Sequence, residues 1–141
     1  MKRIVLLLLT LGFLNNIQAQ EPSDKIIGIW LNEDNTNKIE IYNTGNSYSG
    51  KIVWLSTSES NPKLQPKDIN NPDTKLRNRN ILGMEIITGL QHSNGKWVNG
   101  TIYSPKKGIY ANCKVELLSN QQLKIIVSKS GFTKTQIWTR K

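Results

Sequence analysis

The sequence predicts an all-β protein: about eight antiparallel strands in an up-and-down meander that closes into a barrel. Three observations lead there. Apolar and β-branched runs recur at the spacing of about 8–12 residues typical of barrels and sandwiches. The breaks "EDNTN", "TGN", "HSNG", "PKK", "SNQ" and "SG" are short and built from turn-forming residues, which makes each strand the antiparallel neighbour of the last. No segment longer than about two turns has helical periodicity.

The strands are expected at 25–32, 38–43, 47–55, 81–90, 96–104, 108–118, 122–129 and 132–140. Alternation assigns their faces. In the second run Ile39 and Ile41 oppose Lys38, Glu40 and Tyr42; in the sixth, Ala111, Cys113, Val115 and Leu117 oppose Tyr110, Asn112, Lys114 and Glu116. This is the pattern of a sheet with one wet face. Unpaired edges in such a meander invite aggregation, and closure removes them. A barrel of this strand number is either filled by side chains or just able to hold one small ligand.

The N-terminus reads as an address. Lys2 and Arg3 precede the apolar run "IVLLLLTLGFL", and "IQA" ending at Ala19 fits a signal-peptidase site. The run falls short of the roughly 20 residues that span a bilayer. Residues 1–19 are therefore expected to be a cleaved signal peptide and residues 20–141 one barrel domain, periplasmic or secreted and monomeric, with no transmembrane span. Cys113 is the only cysteine, so neither an internal disulfide nor a lipid anchor after the signal is expected. The chain has a net charge of +9, and removing Lys2 and Arg3 leaves +7. That charge serves solubility or attraction to anionic envelope components. The basic residues are scattered singly, which argues against nucleic acid as a partner.

The 25 residues between Leu55 and Ile81 are far more than a hairpin needs. The first half of this loop (56–80), "STSESNPKLQPK", is polar. In the second, Asn71 suits a helix cap, Pro72 the first helical position and Asp73 the positive end of the helix dipole. A short helical turn is expected there, anchored by Asp68, Asp73, Arg77 and Arg79. If the loop is a lid, Arg77 or Arg79 faces the barrel mouth; if it is a clasp, both are spent on acids or main-chain carbonyls. "DINNPD" begins like a calcium loop but fails as one: Pro72 stands fifth, no glycine stands sixth, and Arg79 replaces the glutamate at the twelfth position. No metal or other cofactor is expected.

No catalytic set emerges. His92 lies in a turn, Cys113 faces the core, and there is no Ser-His-Asp arrangement, phosphate loop or zinc spacing. Glu85 is either outside or a lone acid in the barrel, where it would meet a polar ligand. Trp54, Trp97, Tyr48 and Tyr103 either line a pocket or fill the core. The expected function is a non-catalytic binding module for a small apolar or amphipathic envelope ligand. The alternative is a structural or protein-interaction component of the envelope with a packed barrel.

"GIW", Gly28 to Trp30, on the first strand, and Arg140 in "WTRK" on the last, resemble the calycin barrels: lipocalins, fatty-acid-binding proteins and avidins. In these a basic side chain from the barrel end covers the tryptophan, a cation–π contact of about 0.5–2 kcal/mol that pins first strand to last. The pieces "GIW", "GKIVWL", "DINNPD", "RNILG", "IYSPKKGIY" and "TQIWTR" together resemble the bacterial domain-of-unknown-function 2147 family. That resemblance implies export and a calycin-like barrel, and no activity. Many of its members carry paired cysteines; this chain has neither pair, so a redox role does not carry over.

Overall fold

A computed structural model describes residues 22–141; the expected signal peptide lies outside the described residues. Eight strands form one closed antiparallel barrel in chain order, each paired with its sequence neighbours. They are β1 (Gly28–Leu31), β2 (Asn37–Asn43), β3 (Tyr48–Leu55), β4 (Glu85–Ser93), β5 (Lys96–Ser104), β6 (Ile109–Ser119), β7 (Gln122–Lys129) and β8 (Phe132–Arg140). A 3-10 segment, Pro22–Ile26, precedes β1; a short helix α1, Ser56–Ser60, and a 3-10 turn, Thr74–Leu76, sit between β3 and β4.

Several boundaries differ from expectation. Strand β1 starts at Gly28, because residues 22–26 coil into a 3-10 segment that buries Ile26. Strand β4 runs from Glu85 to Ser93, so His92 is a strand residue and the turn is Asn94–Gly95 alone. Asn94 and Gly95 both take positive φ, as a two-residue hairpin turn of the primed type requires. The polar stretch after β3 opens with α1, which has no buried residue.

Cross-strand partners share a face, so the registers identify the interior. Trp30↔Ile39, Ile39↔Ile52, Gly100↔Cys113, Cys113↔Val127, Val115↔Ile125 and Leu123↔Trp138 all point inward. All these side chains except the half-buried Val127 belong to the buried core, and Gly100 leaves its place on that face to Leu90. Hairpin turns alternate between the barrel's ends. The connections β2–β3, β4–β5 and β6–β7 lie at one end with the 3-10 segment, and β1–β2, β3–β4, β5–β6 and β7–β8 lie at the other.

Candidate functional site

The end bearing the N-terminal segment is closed. Trp30 Nε1 donates to Ile26 O (2.9 Å) and Trp97 Nε1 to Ser23 O (2.9 Å), so two buried indoles hold the segment across the opening. Arg140 pairs with Trp30 in the β1–β8 ladder, and its guanidinium carbon stands 4.1 Å from the ring centroid. The same guanidinium donates to Ile27 O (2.9 Å), Lys25 O (2.7 Å) and Asn120 O (2.6 Å). Gly28 makes room for it: a Cβ there would lie 2.6 Å from an Arg140 nitrogen, and its φ of +142° disfavours other residues. Burial lowers the Arg140 pKa from its usual value. Only two residue pairs join β1 to β8; Lys141 N donating to Ile29 O (2.9 Å) and the arginine's bonds to Ile27 O and Lys25 O extend that seam.

The opposite end is open. Above the packed core lies a cavity of about 1010 Å³. Ile39, Ile52, Leu55, Ile102, Ala111, Val127 and Trp138 line it, and Trp138, only 2% exposed, lies deepest on β8. Strand β8 presents one inward stripe: Trp138, Gln136 and Lys134 pair with Leu123, Ile125 and Val127 in turn. That stripe passes from apolar floor through an amide to an ammonium at the mouth. Gln136 Oε1 accepts from Trp138 Nε1 (3.0 Å), which fixes the indole. At the mouth the cavity meets Lys106, Lys107, Lys129 and Lys134, with Asp34 as its one acidic residue. A second depression of about 610 Å³ at the closed end is ringed by polar residues such as Asn43, Asn46 and Asn99. It lacks the apolar floor that gives a small molecule most of its binding energy.

From Lys67 to Asn80 the long loop is a clasp on the outer wall, while Thr57, Pro66 and Ile81 on either side of it border the cavity. The Tyr103↔Tyr110 pair is one residue out of phase with Ile102↔Ala111, so both tyrosines face outward, where the loop buries Tyr103 and leaves Tyr110 exposed. Asp68 is fully buried. It accepts from Tyr103 OH (2.6 Å), Asn71 Nδ2 (2.7 Å) and Arg79 Nε (2.9 Å). The Arg79 guanidinium also lies 5.7 Å from the Tyr103 ring centroid. Burial opposes the Arg79 charge, but the hydrogen bond and attraction of Asp68 outweigh it and raise its pKa. Tyr103 is pushed up to about 12 by burial and then by the carboxylate it faces. Arg77 Nε donates to Asn71 O (2.8 Å). Both arginines are thus spent as a clasp requires. A further tie joins Asn70 Nδ2 to Lys106 O (2.9 Å), where the β5–β6 turn comes so close that a Cβ on Gly108 would overlap Asn70 O.

The expected cap geometry is corrected here. The 3-10 turn begins at Thr74, not Pro72, and Asp73 is its N-cap, accepting from Lys75 N (3.0 Å). Asn71, fully buried, instead closes a tight turn by accepting from Asp73 N (2.8 Å) while holding Asp68. Buried Asn71 serves two partners that a half-exposed cap could not. Asp73 anchors only its own turn and joins neither arginine.

Two candidates lie away from the cavity. Trp54 pairs with Lys38 on the outer face, where the ammonium stands 4.7 Å from its ring centroid. Glu85 is exposed opposite Lys51 and accepts a short hydrogen bond from Tyr42 OH, which lifts the tyrosine pKa to about 12. Cys113 is 1% exposed and burial pushes its thiol up to about 12, which makes it an inert core residue. Among the described residues there is no cluster able to hold a metal, and no buried side-chain polar atom lacks a partner. Of the residues that border the cavity, Tyr103 was a sequence candidate; the inward ones, such as Ile39, Ala111 and Trp138, escaped sequence reasoning because each is an ordinary core-facing position. The available signal was the β8 alternation Lys134, Gln136, Trp138, which puts polar residues on a face that apolar residues hold elsewhere.

Comparison with known proteins agrees with this architecture. Protein HP1028 from the human pathogen Helicobacter pylori, described as belonging to the lipocalin family, superposes with a TM-score of 0.72 at 21% identity over 82% of each chain. That likeness shows a shared lipocalin-like barrel. No curated protein matches the chain. From the first barrel strand to the closing arginine, residues 28–140 match one family model, and the chain belongs to that family, the uncharacterised proteins conserved in bacteria known as DUF2147.

Proposed function

We propose that this protein is an exported, non-catalytic carrier that holds a small amphipathic molecule in the open cup of its barrel. The observation behind this reading is the cavity of about 1010 Å³ with an apolar floor and an inward lysine near its mouth. Ligand sites are typically cavities of about 300–1,000 Å³ with mainly apolar walls and a few placed polar groups. An apolar tail fits against Ile39, Ile52, Ile102, Val127 and Trp138. A polar or acidic end then lies beside Gln136 and Lys134, where an opposite charge is least costly to bring out of water. The clasped loop keeps this shape formed in advance, which lowers the ordering cost of binding.

Filling the cup tests the proposal. Ala111 is half-buried, inward and on the cavity wall. The acidic amphiphile 1-anilinonaphthalene-8-sulfonate should bind the native protein one to one with enhanced fluorescence. Ala111→Phe should abolish that binding while melting stays near that of the native protein, and Lys134→Gln should weaken it. Equal uptake by Ala111→Phe, or none by the native protein, sinks the proposal. Native mass spectrometry of the protein taken from its own producing cells then identifies any retained molecule.

A further inference from the structure

We infer that the mouth of the barrel docks on an anionic lipid surface, with Phe132 as an apolar wedge inside a collar of lysines. Phe132 is 82% exposed, the most exposed of the large hydrophobic side chains among the described residues. It stands at the tip of the β7–β8 hairpin in "KSGFTK", where the turn itself needs only Ser130 and Gly131, both at positive φ. The aromatic ring serves neither turn nor core; it stands on the rim of the cavity, at the outer end of the Trp138–Gln136–Lys134 stripe. Ile109, 41% exposed, lies at the same mouth on the neighbouring hairpin.

Four lysines surround this wedge at a mouth whose one lining acid is Asp34, and their excess suits an anionic partner. Lys106 and Lys107 stand in the β5–β6 turn and Lys129 and Lys134 flank Phe132; all four are exposed and none joins an ion pair among the described residues. Lys129 Nζ is held on Tyr110 O at 2.7 Å, which keeps it beside the tip. The two hairpins are neighbours because β6 and β7 pair along their lengths. Connections at the open end (32–36, 56–84, 105–108 and 129–134) carry nine lysines and arginines against five acids. At the closed end the segments 22–27, 44–47, 94–95 and 120–121 carry one of each. The charge is therefore polarised along the barrel axis, with its excess around the exposed aromatic. Lysines attract a leaflet of acidic phospholipid over about a Debye length, and a projecting aromatic then settles at the headgroup boundary. Neither contribution requires the cup to be occupied, so docking stands or falls apart from the carrier reading.

Co-sedimentation with vesicles tests the inference, using the mature protein as its producing cell exports it. Vesicles of phosphatidylcholine with one third phosphatidylglycerol should bind it at low salt, and phosphatidylcholine alone should not. Raising the salt to about 0.5 M should release it, since screening then acts within a few ångströms. Phe132→Ser should weaken binding to the acidic vesicles by roughly tenfold, the loss of one buried aromatic. Lys106→Gln with Lys107→Gln should weaken binding and flatten its salt dependence. Ala111→Phe, with the cup filled, should bind vesicles as the native protein does. Absence of binding to acidic vesicles at low salt overturns the inference, as does native-like binding by both the serine and glutamine variants. A dimer that dissolves on Phe132→Ser without any vesicle binding overturns it too, since the wedge then covers a second copy.

Discussion

The two ends of the barrel are made from the same eight strands, yet one is shut by side-chain hydrogen bonds to main-chain carbonyls and the other is left open. At the closed end two indole N–H groups and one guanidinium satisfy the carbonyls of Ser23, Lys25, Ile26, Ile27 and Asn120. At the open end the long loop could have served as a similar plug. Its central part, residues 67–80, lies instead on the outer wall, held by Asp68, and only Thr57, Pro66 and Ile81 reach the border of the open cup. The difference teaches that plugging depends on where polar partners point. Trp30 and Trp97 reach toward the segment over the closed end, whereas Tyr103 faces outward and draws its loop to the side.

The largest break in that comparison comes from Trp30→Ala. It removes a fully buried indole, the cation–π contact and a buried hydrogen bond, so it should cost about 3–5 kcal/mol in chemical denaturation. Arg140→Ala should cost about 2–4 kcal/mol, because three charge-assisted hydrogen bonds are lost with the ring contact. Both variants strike the closed end, and amide exchange should accelerate first in residues 22–31. A loss under about 1 kcal/mol for Arg140→Ala would mean the ladder alone closes the barrel.

Asp68→Ala attacks the clasp. It leaves Tyr103 OH and Asn71 Nδ2 without their acceptor and should lower stability by about 2–3 kcal/mol, since Arg79 keeps partial access to water. Cup binding of the fluorescent probe should survive; its loss at unchanged melting would make the loop a lid. Tyr103→Phe should have the smallest effect and sharpens the same point with pH. The folded pKa of Tyr103 is raised to about 12 from 10.0, first by burial and then by Asp68. Its contribution is complete below about pH 10 and is lost as pH rises toward 12. Melting of the native protein should therefore fall across that window more steeply than melting of Tyr103→Phe. Parallel curves would show that the hydroxyl adds nothing.

Strand order, closure and the inward set were legible in the sequence because period-2 alternation and short turns are local properties. Ile39, Ile41, Cys113 and Val115 could be placed without coordinates. The Trp30–Arg140 contact was legible from a three-residue signature joined to the chain's last strand. Less legible were Trp54 and Glu85, which sit on alternating strands where either face could hold a half-polar residue. The pairings with Lys38 and Lys51 decided both. Asn71 carried a correct signal for a turn and a wrong one for its partner, because Asp68 becomes buried only when the loop meets Tyr103.

What the sequence by itself determined is the meander, the seam and the excess of positive charge, since each depends on residue type and on neighbours a few positions away. Only the tertiary structure decided that one end is plugged and the other holds a cavity. Whether eight strands leave room depends on how inward side chains from distant strands fill a shared volume. At the closed end Ile26 and Trp97 complete that filling, while at the open end Ala111 and Val127 fall short of it.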